Sequence, residues 1–117
     1  MKEIGDKGER IAARALKKRG YKIIETNYSV HHVGEIDIVA KKDEYLVFVE
    51  VKYRKNTLAG RPEEYVGRLK RQRLLRAAEQ YILTHGVTAP VRFDVVSVIG
   101  NFIHPEVEVI TNAFGDM

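Results

Sequence analysis

The chain has no cysteine, which excludes disulfides and thiolate zinc sites together. It has no apolar run approaching transmembrane length, so no membrane partner is expected. Its opening residues, Met1-Lys2-Glu3-Ile4-Gly5-Asp6, lack the apolar core of a signal peptide, and a cytoplasmic protein is the expectation. Internal repeats, low-complexity tracts and linkers are missing as well. What remains is an ordinary folded chain. Its 117 residues suffice for one core, so a single domain over residues 1–117 is expected. With 44% hydrophobic and 31% charged residues it is globular rather than disordered.

The formal net charge is only +4, but its placement is uneven. Lys52, Arg54, Lys55, Arg61, Arg68, Lys70, Arg71, Arg73 and Arg76 fall in one stretch, against Glu63 and Glu64. That basic stretch is the footprint expected of a protein that meets a polyanion. Acids gather elsewhere, at Glu106, Glu108 and Asp116.

Periodicity gives the element order. Ile4, Gly8, Ile11, Ala12, Ala15 and Leu16 recur at helical spacing over residues 2–19, and Gly20 ends that helix. Glu9 borders its apolar stripe. Tyr21 to Asn27 reads as a strand, followed by a polar connector with His31 and His32 that ends at Gly34. The runs around residues 36–40 and 46–52 form two more strands, joined by a hairpin at Lys41-Lys42-Asp43-Glu44. A second helix is expected from Pro62 to about His85, closed by Gly86, with strands at 91–99 and 107–111. In that helix Val66, Leu69, Leu74, Ala77 and Tyr81 form an apolar stripe into which Lys70 and Arg73 intrude. The expected fold is α/β with a mixed sheet: a helix, a three-strand meander, a helix, then one or two strands.

Charges interrupt the two most apolar runs. Asp37 lies inside Ile36-Asp37-Ile38-Val39-Ala40, and Glu50 and Lys52 close Leu46-Val47-Phe48-Val49-Glu50-Val51-Lys52. Strands this rich in Val, Ile and Phe are buried on both faces. A buried, unpaired charge there costs several kcal/mol. Glu50 and Lys52 point to one side of their strand, and pairing of the runs brings Asp37 to them. A same-face salt bridge is the plain reading of Glu50 and Lys52. The sharper one is a metal-dependent hydrolytic site. Mg²⁺ takes one or two protein carboxylates plus waters and substrate phosphate, which Asp37 and Glu50 supply, with the Val51 carbonyl as a further ligand. Lys52 could orient or deprotonate an attacking water, or offset phosphate charge. Glu9 could hold a metal-bound water from the first helix. His31 and His32 read as polar loop residues.

Gly8-Glu9, Gly34-Glu35-Ile36-Asp37 and Val49-Glu50-Val51-Lys52 resemble the ordered motifs of the PD-(D/E)XK nuclease superfamily. The closer resemblance is to the YraN family of small bacterial proteins, similar in outline to archaeal Holliday-junction resolvases. It spans nearly the whole chain, including Arg92-Phe93-Asp94-Val95 and Asn112-Ala113-Phe114. Ile36 stands where the superfamily label has proline. The resemblance implies a restriction-endonuclease-like core, with Asp37, Glu50 and Lys52 as catalytic centre and Glu9 as accessory acid. It also implies Mg²⁺ or Mn²⁺ as cofactor, DNA as partner and a product with a 5′-phosphate. Arg54, Lys55, Arg61, Lys70 and Arg73 are the candidate phosphate contacts, and a homodimer is allowed. The competing functions are a non-catalytic nucleic-acid-binding protein of the same fold and an interaction protein that meets no nucleic acid.

Overall fold

The computed structural model describes residues 2–56 and 67–114. Helix α1 (Lys2–Lys18) ends in Lys17 and Lys18, cations suited to the negative end of a helix dipole. Gly20 then adopts a φ of +88°, open to glycine and strained for other residues. The chain continues through β1 (Lys22–Val30), β2 (Gly34–Lys42), β3 (Tyr45–Arg54), α2 (Arg68–His85), β4 (Val91–Ile99) and β5 (Glu106–Ile110). The strands form one sheet in the order β1-β2-β3-β4-β5. Only β3 and β4 run parallel, which the α2 crossover permits; the other neighbours are antiparallel. The fold is thus the expected mixed α/β arrangement.

Each face of the sheet is closed by one helix. Ala12 and Leu16 of α1 pack with Tyr21, Ile38, Val47, Val49, Val96 and Val98. On the other face Leu74, Ala77, Ala78 and Tyr81 of α2 pack with Ile36, Val39, Leu46, Phe48 and Val95. Alternation along β3 therefore sends Val47 and Val49 toward α1, and Leu46 and Phe48 toward α2. Ile36 and Ile38 break that rule, since they join opposite layers although two residues apart. The irregularity is centred on Asp37.

The largest departures from the sequence reading are at the end of β1 and the start of α2. β1 extends to Val30 because Tyr28 and Val30 pack under α2 and stay in register with β2 as far as Val30↔Gly34. The connector shrinks to residues 31–33. α2 starts at Arg68 after an extended Gly67 (ψ 166°), and the expected start at Pro62, with Val66, lies outside the described residues. Leu69, expected in the apolar stripe, is exposed; Ala78 takes a core place instead. The end of α2 is as expected, with Gly86 in the left-handed region and donating its N–H to the Ile82 carbonyl.

Candidate metal centre

Backbone pairing of β2 with β3 runs from Lys42↔Tyr45 to Ile38↔Val49 and goes no further. Beyond that point the strands part, and the gap is bridged by a side chain: Asp37 Oδ2 accepts the Val51 N–H at 2.8 Å. A carboxylate thus replaces a ladder acceptor, which fixes Asp37 at the fork. Glu50 sits one residue past the last paired position and is 4% exposed. Lys52 follows on the same side, with Nζ 3.6 Å from Glu50 Oε1. From α2, Lys70 Nζ reaches the same oxygen at 3.3 Å. Glu50 Oε2 is buried and has no hydrogen-bond partner.

Asp37 also has further acidic company. Carboxylate oxygens of Glu9, Glu35 and Asp37 lie within 4.8 Å of one another. Glu9 arrives from α1, where its position at the border of the buried stripe leaves it half-buried. Glu35 stands two residues before Asp37 on β2 and is exposed. The crowding has the expected electrostatic result. Burial, then the charge of Asp37, pushes the Glu50 carboxyl up to about 7, with Lys70 and Lys52 opposing the rise. Burial and then Asp37 also raise Glu9, against a hydrogen-bonding contribution from Asn27. Asn27 lies between the residues paired with Ile38 and Ile36, and has a φ of +53° in the middle of a strand. Neither Glu35 nor Asn27 was expected at the site. The two-residue spacing that links Glu50 to Lys52 also links Glu35 to Asp37.

This donor set fits a hard divalent cation. Three oxygen donors converge, a fourth carboxylate holds a buried orphan oxygen, and the Asp37 charge raises the cost of ionising Glu50 and Glu9. The Val51 N–H is spent on Asp37.

The candidate phosphate contacts divide. Lys70 and Arg73 line a groove of about 450 Å³ with His31, His32 and Glu35, beside the acidic cluster. Lys55 is exposed at the end of β3. Arg54 turns inward instead: Nε donates to Ser97 Oγ at 3.1 Å, and Nη2 lies 3.6 Å from Glu108, with the side chain 12% exposed. Arg61 lies outside the described residues.

A five-stranded mixed sheet between two helices, with one parallel pair at its centre, is the restriction-endonuclease-like core. The chain belongs to uncharacterised protein family UPF0102, the YraN family, whose sequence model matches residues 8–98. It is 44% identical over 116 residues to a UPF0102 protein of Dehalococcoides mccartyi, covering 98% of this chain and 95% of that one. A UPF0102 protein of Clostridioides difficile is 41% identical over 97% of both chains. One of Alkaliphilus metalliredigens is 45% identical over 97% of this chain and 98% of its own. Among the described residues no helix is long and apolar enough to cross a membrane.

Proposed function

We propose that the protein is a Mg²⁺- or Mn²⁺-dependent DNA endonuclease that hydrolyses phosphodiesters and selects its substrate by structure. The observation that carries this reading is Glu50. A buried carboxylate that two ammoniums meet at one oxygen only, beside a second carboxylate at a strand fork, is the arrangement a hard cation would complete.

Asp37 and Glu50, with the Val51 carbonyl, would hold the ion, and Glu9 and Glu35 would flank it from α1 and the start of β2. When bound, the ion supplies Lewis acidity at a phosphoryl oxygen and lowers the pKa of water. Lys52 keeps its ammonium near Glu50 while 30% exposed, where it can orient a nucleophile or hold a proton beside the reacting phosphate. Lys55, Lys70 and Arg73 would neutralise flanking phosphates, each contributing about −0.9 to the salt-dependence slope on duplex DNA. Arg54, held on Ser97 and Glu108, would stiffen the end of β3 rather than meet the backbone.

The test is a cleavage screen over branched, flapped, single-stranded and duplex DNA with Mg²⁺ or Mn²⁺, beside Asp37→Asn and Glu50→Gln. Cleavage of at least one substrate by the parent chain, lost in both variants, is the expected outcome. Salt-sensitive DNA binding with no cleavage of any substrate would leave the non-catalytic binding role standing instead.

A further inference from the structure

Lys70 sits between two places that call for a cation. Its ammonium lies 3.3 Å from Glu50 Oε1, nearer than that of Lys52. Its side chain is 45% exposed and lines the groove shared with His31, His32, Glu35 and Arg73. Two ammoniums therefore crowd one oxygen of a buried carboxylate while the second oxygen has no donor. Counter-ions selected for stability would spread their donors over both oxygens. Donors gathered on one oxygen leave the other open to an incoming ion.

We propose that Lys70 is a displaceable counter-ion, which neutralises Glu50 while the acidic pocket holds no cation and moves to a nucleic-acid phosphate in the groove once a divalent ion takes its place. This deepens the nuclease reading and rests on it. A doubly charged ion at Glu50 repels an ammonium a few ångströms away. The lysine stem can swing without any change in the helix that carries it. The helix itself is held: a Cβ on Gly34 would stand 3.0 Å from the Arg73 carbonyl oxygen, so the β1–β2 turn packs directly on the α2 backbone. Movement of the side chain alone suffices. Cation binding then prepares the groove for phosphate, and phosphate in the groove draws Lys70 off the cation site. By linkage the two affinities rise together through one residue.

The experiment titrates Mn²⁺ by calorimetry into the DNA-free parent chain, Lys70→Gln and Arg73→Gln, with melting curves for each. Arg73→Gln removes the same charge from the same groove, whereas the ion pairs of Glu50 are with Lys52 and Lys70. Lys70→Gln should bind Mn²⁺ about 5-fold or more tightly than the parent, the lower range of coupling between linked sites. Arg73→Gln should stay within about 2-fold of the parent, a span well below that coupling range. Mn²⁺ should also raise the melting temperature of Lys70→Gln more than that of the parent. Equal affinities for Lys70→Gln and the parent, or equal gains in both variants, overturn the proposal and leave the nuclease reading intact. A Lys70→Gln chain that stays unfolded at saturating Mn²⁺ overturns it too, because the ion should replace the missing ammonium. Absence of Mn²⁺ binding in all three chains removes the cation site itself, and the nuclease reading with it.

Discussion

Asp94 and Glu50 are both buried carboxylates on neighbouring parallel strands, one register step apart, and the fold treats them in opposite ways. Asp94 Oδ1 accepts from Arg92 Nε and the Asn112 N–H, each at 2.9 Å. Its Oδ2 accepts from Tyr21 Oη at 2.7 Å and Arg92 Nη2 at 2.9 Å. The guanidinium also lies over the Tyr45 ring. Burial, then the bond to Asp94, pushes the Tyr21 hydroxyl up to about 12, so it remains a donor at ordinary pH. Four donors answer one carboxylate. Glu50 has two ammoniums on one oxygen and none on the other. The chain therefore contains a complete solution for burying a carboxylate, and that solution is not applied at Glu50.

Mutations can break this contrast. The largest effect is expected at Asp94. Asp94→Asn removes the charge that Arg92 answers in the core, and breaking such a pair costs roughly 3–5 kcal/mol. Urea unfolding would measure it; a loss under about 1 kcal/mol would mean the cluster is solvated, as exposed pairs are.

Glu50→Gln should act with the opposite sign. The Glu50 carboxyl is pushed up to about 7 in the folded chain, against 4.5 ordinarily. Between those values the folded state holds a proton that the unfolded state has lost. Metal-free stability thus falls as pH rises from about 4.5 to 7, by an amount on the order of 2–3 kcal/mol. Glu50→Gln should be more stable than the parent at pH 8 and nearly equal to it at pH 4.5. Parallel denaturation series at the two pH values check this, and saturating Mg²⁺ should narrow the gap.

Gly34→Ala sharpens the contrast from the α2 side. The new Cβ would stand 3.0 Å from the Arg73 carbonyl oxygen, so helix or turn must shift. A cost of about 1–3 kcal/mol is expected on melting, the usual penalty for overpacking. Lys52→Met should have the smallest effect on stability, within about 1 kcal/mol, since its partially exposed pair is weak and Lys70 still answers Glu50. Its effect on cleavage should nonetheless be near-complete, and Lys52→Arg should fail to restore it. Wild-type turnover in a folded Lys52→Met chain would remove Lys52 from the proposed chemistry.

The legible parts of the site were those that violated a local rule. Asp37 and Glu50 stood out because acids do not belong in β-branched runs, and Glu9 because it bordered a helical stripe. Glu35 was hidden because an acid beside a glycine at a strand start looks solvated. Its approach to Glu9 and Asp37 depends on how α1 crosses the sheet. Asn27 left no signal, since its left-handed backbone belongs to the irregular β1–β2 pairing. Lys70 was visible as a charge on an apolar stripe, but its partner is a tertiary fact. Helix and strand order were legible from periodicity. The β1 end was less so, because Tyr28 and Val30 owe their place to α2, a segment distant in sequence.

The strand fork also bears on the order of folding. Glu35, Asp37, Glu50 and Lys52 all lie on the β2–β3 hairpin, closed by a tight turn in which Asp43 has a φ of +54°. Such sequence-local pairings form early, whereas the parallel β3–β4 pair waits for the α2 crossover. A nascent hairpin gathers these three acids with Lys52 before α2 docks and brings Lys70. Like-charge repulsion then weighs on the barrier as well as on the native state. Refolding should therefore quicken in mild acid or with a divalent ion present, a change that stopped-flow refolding at two pH values would measure.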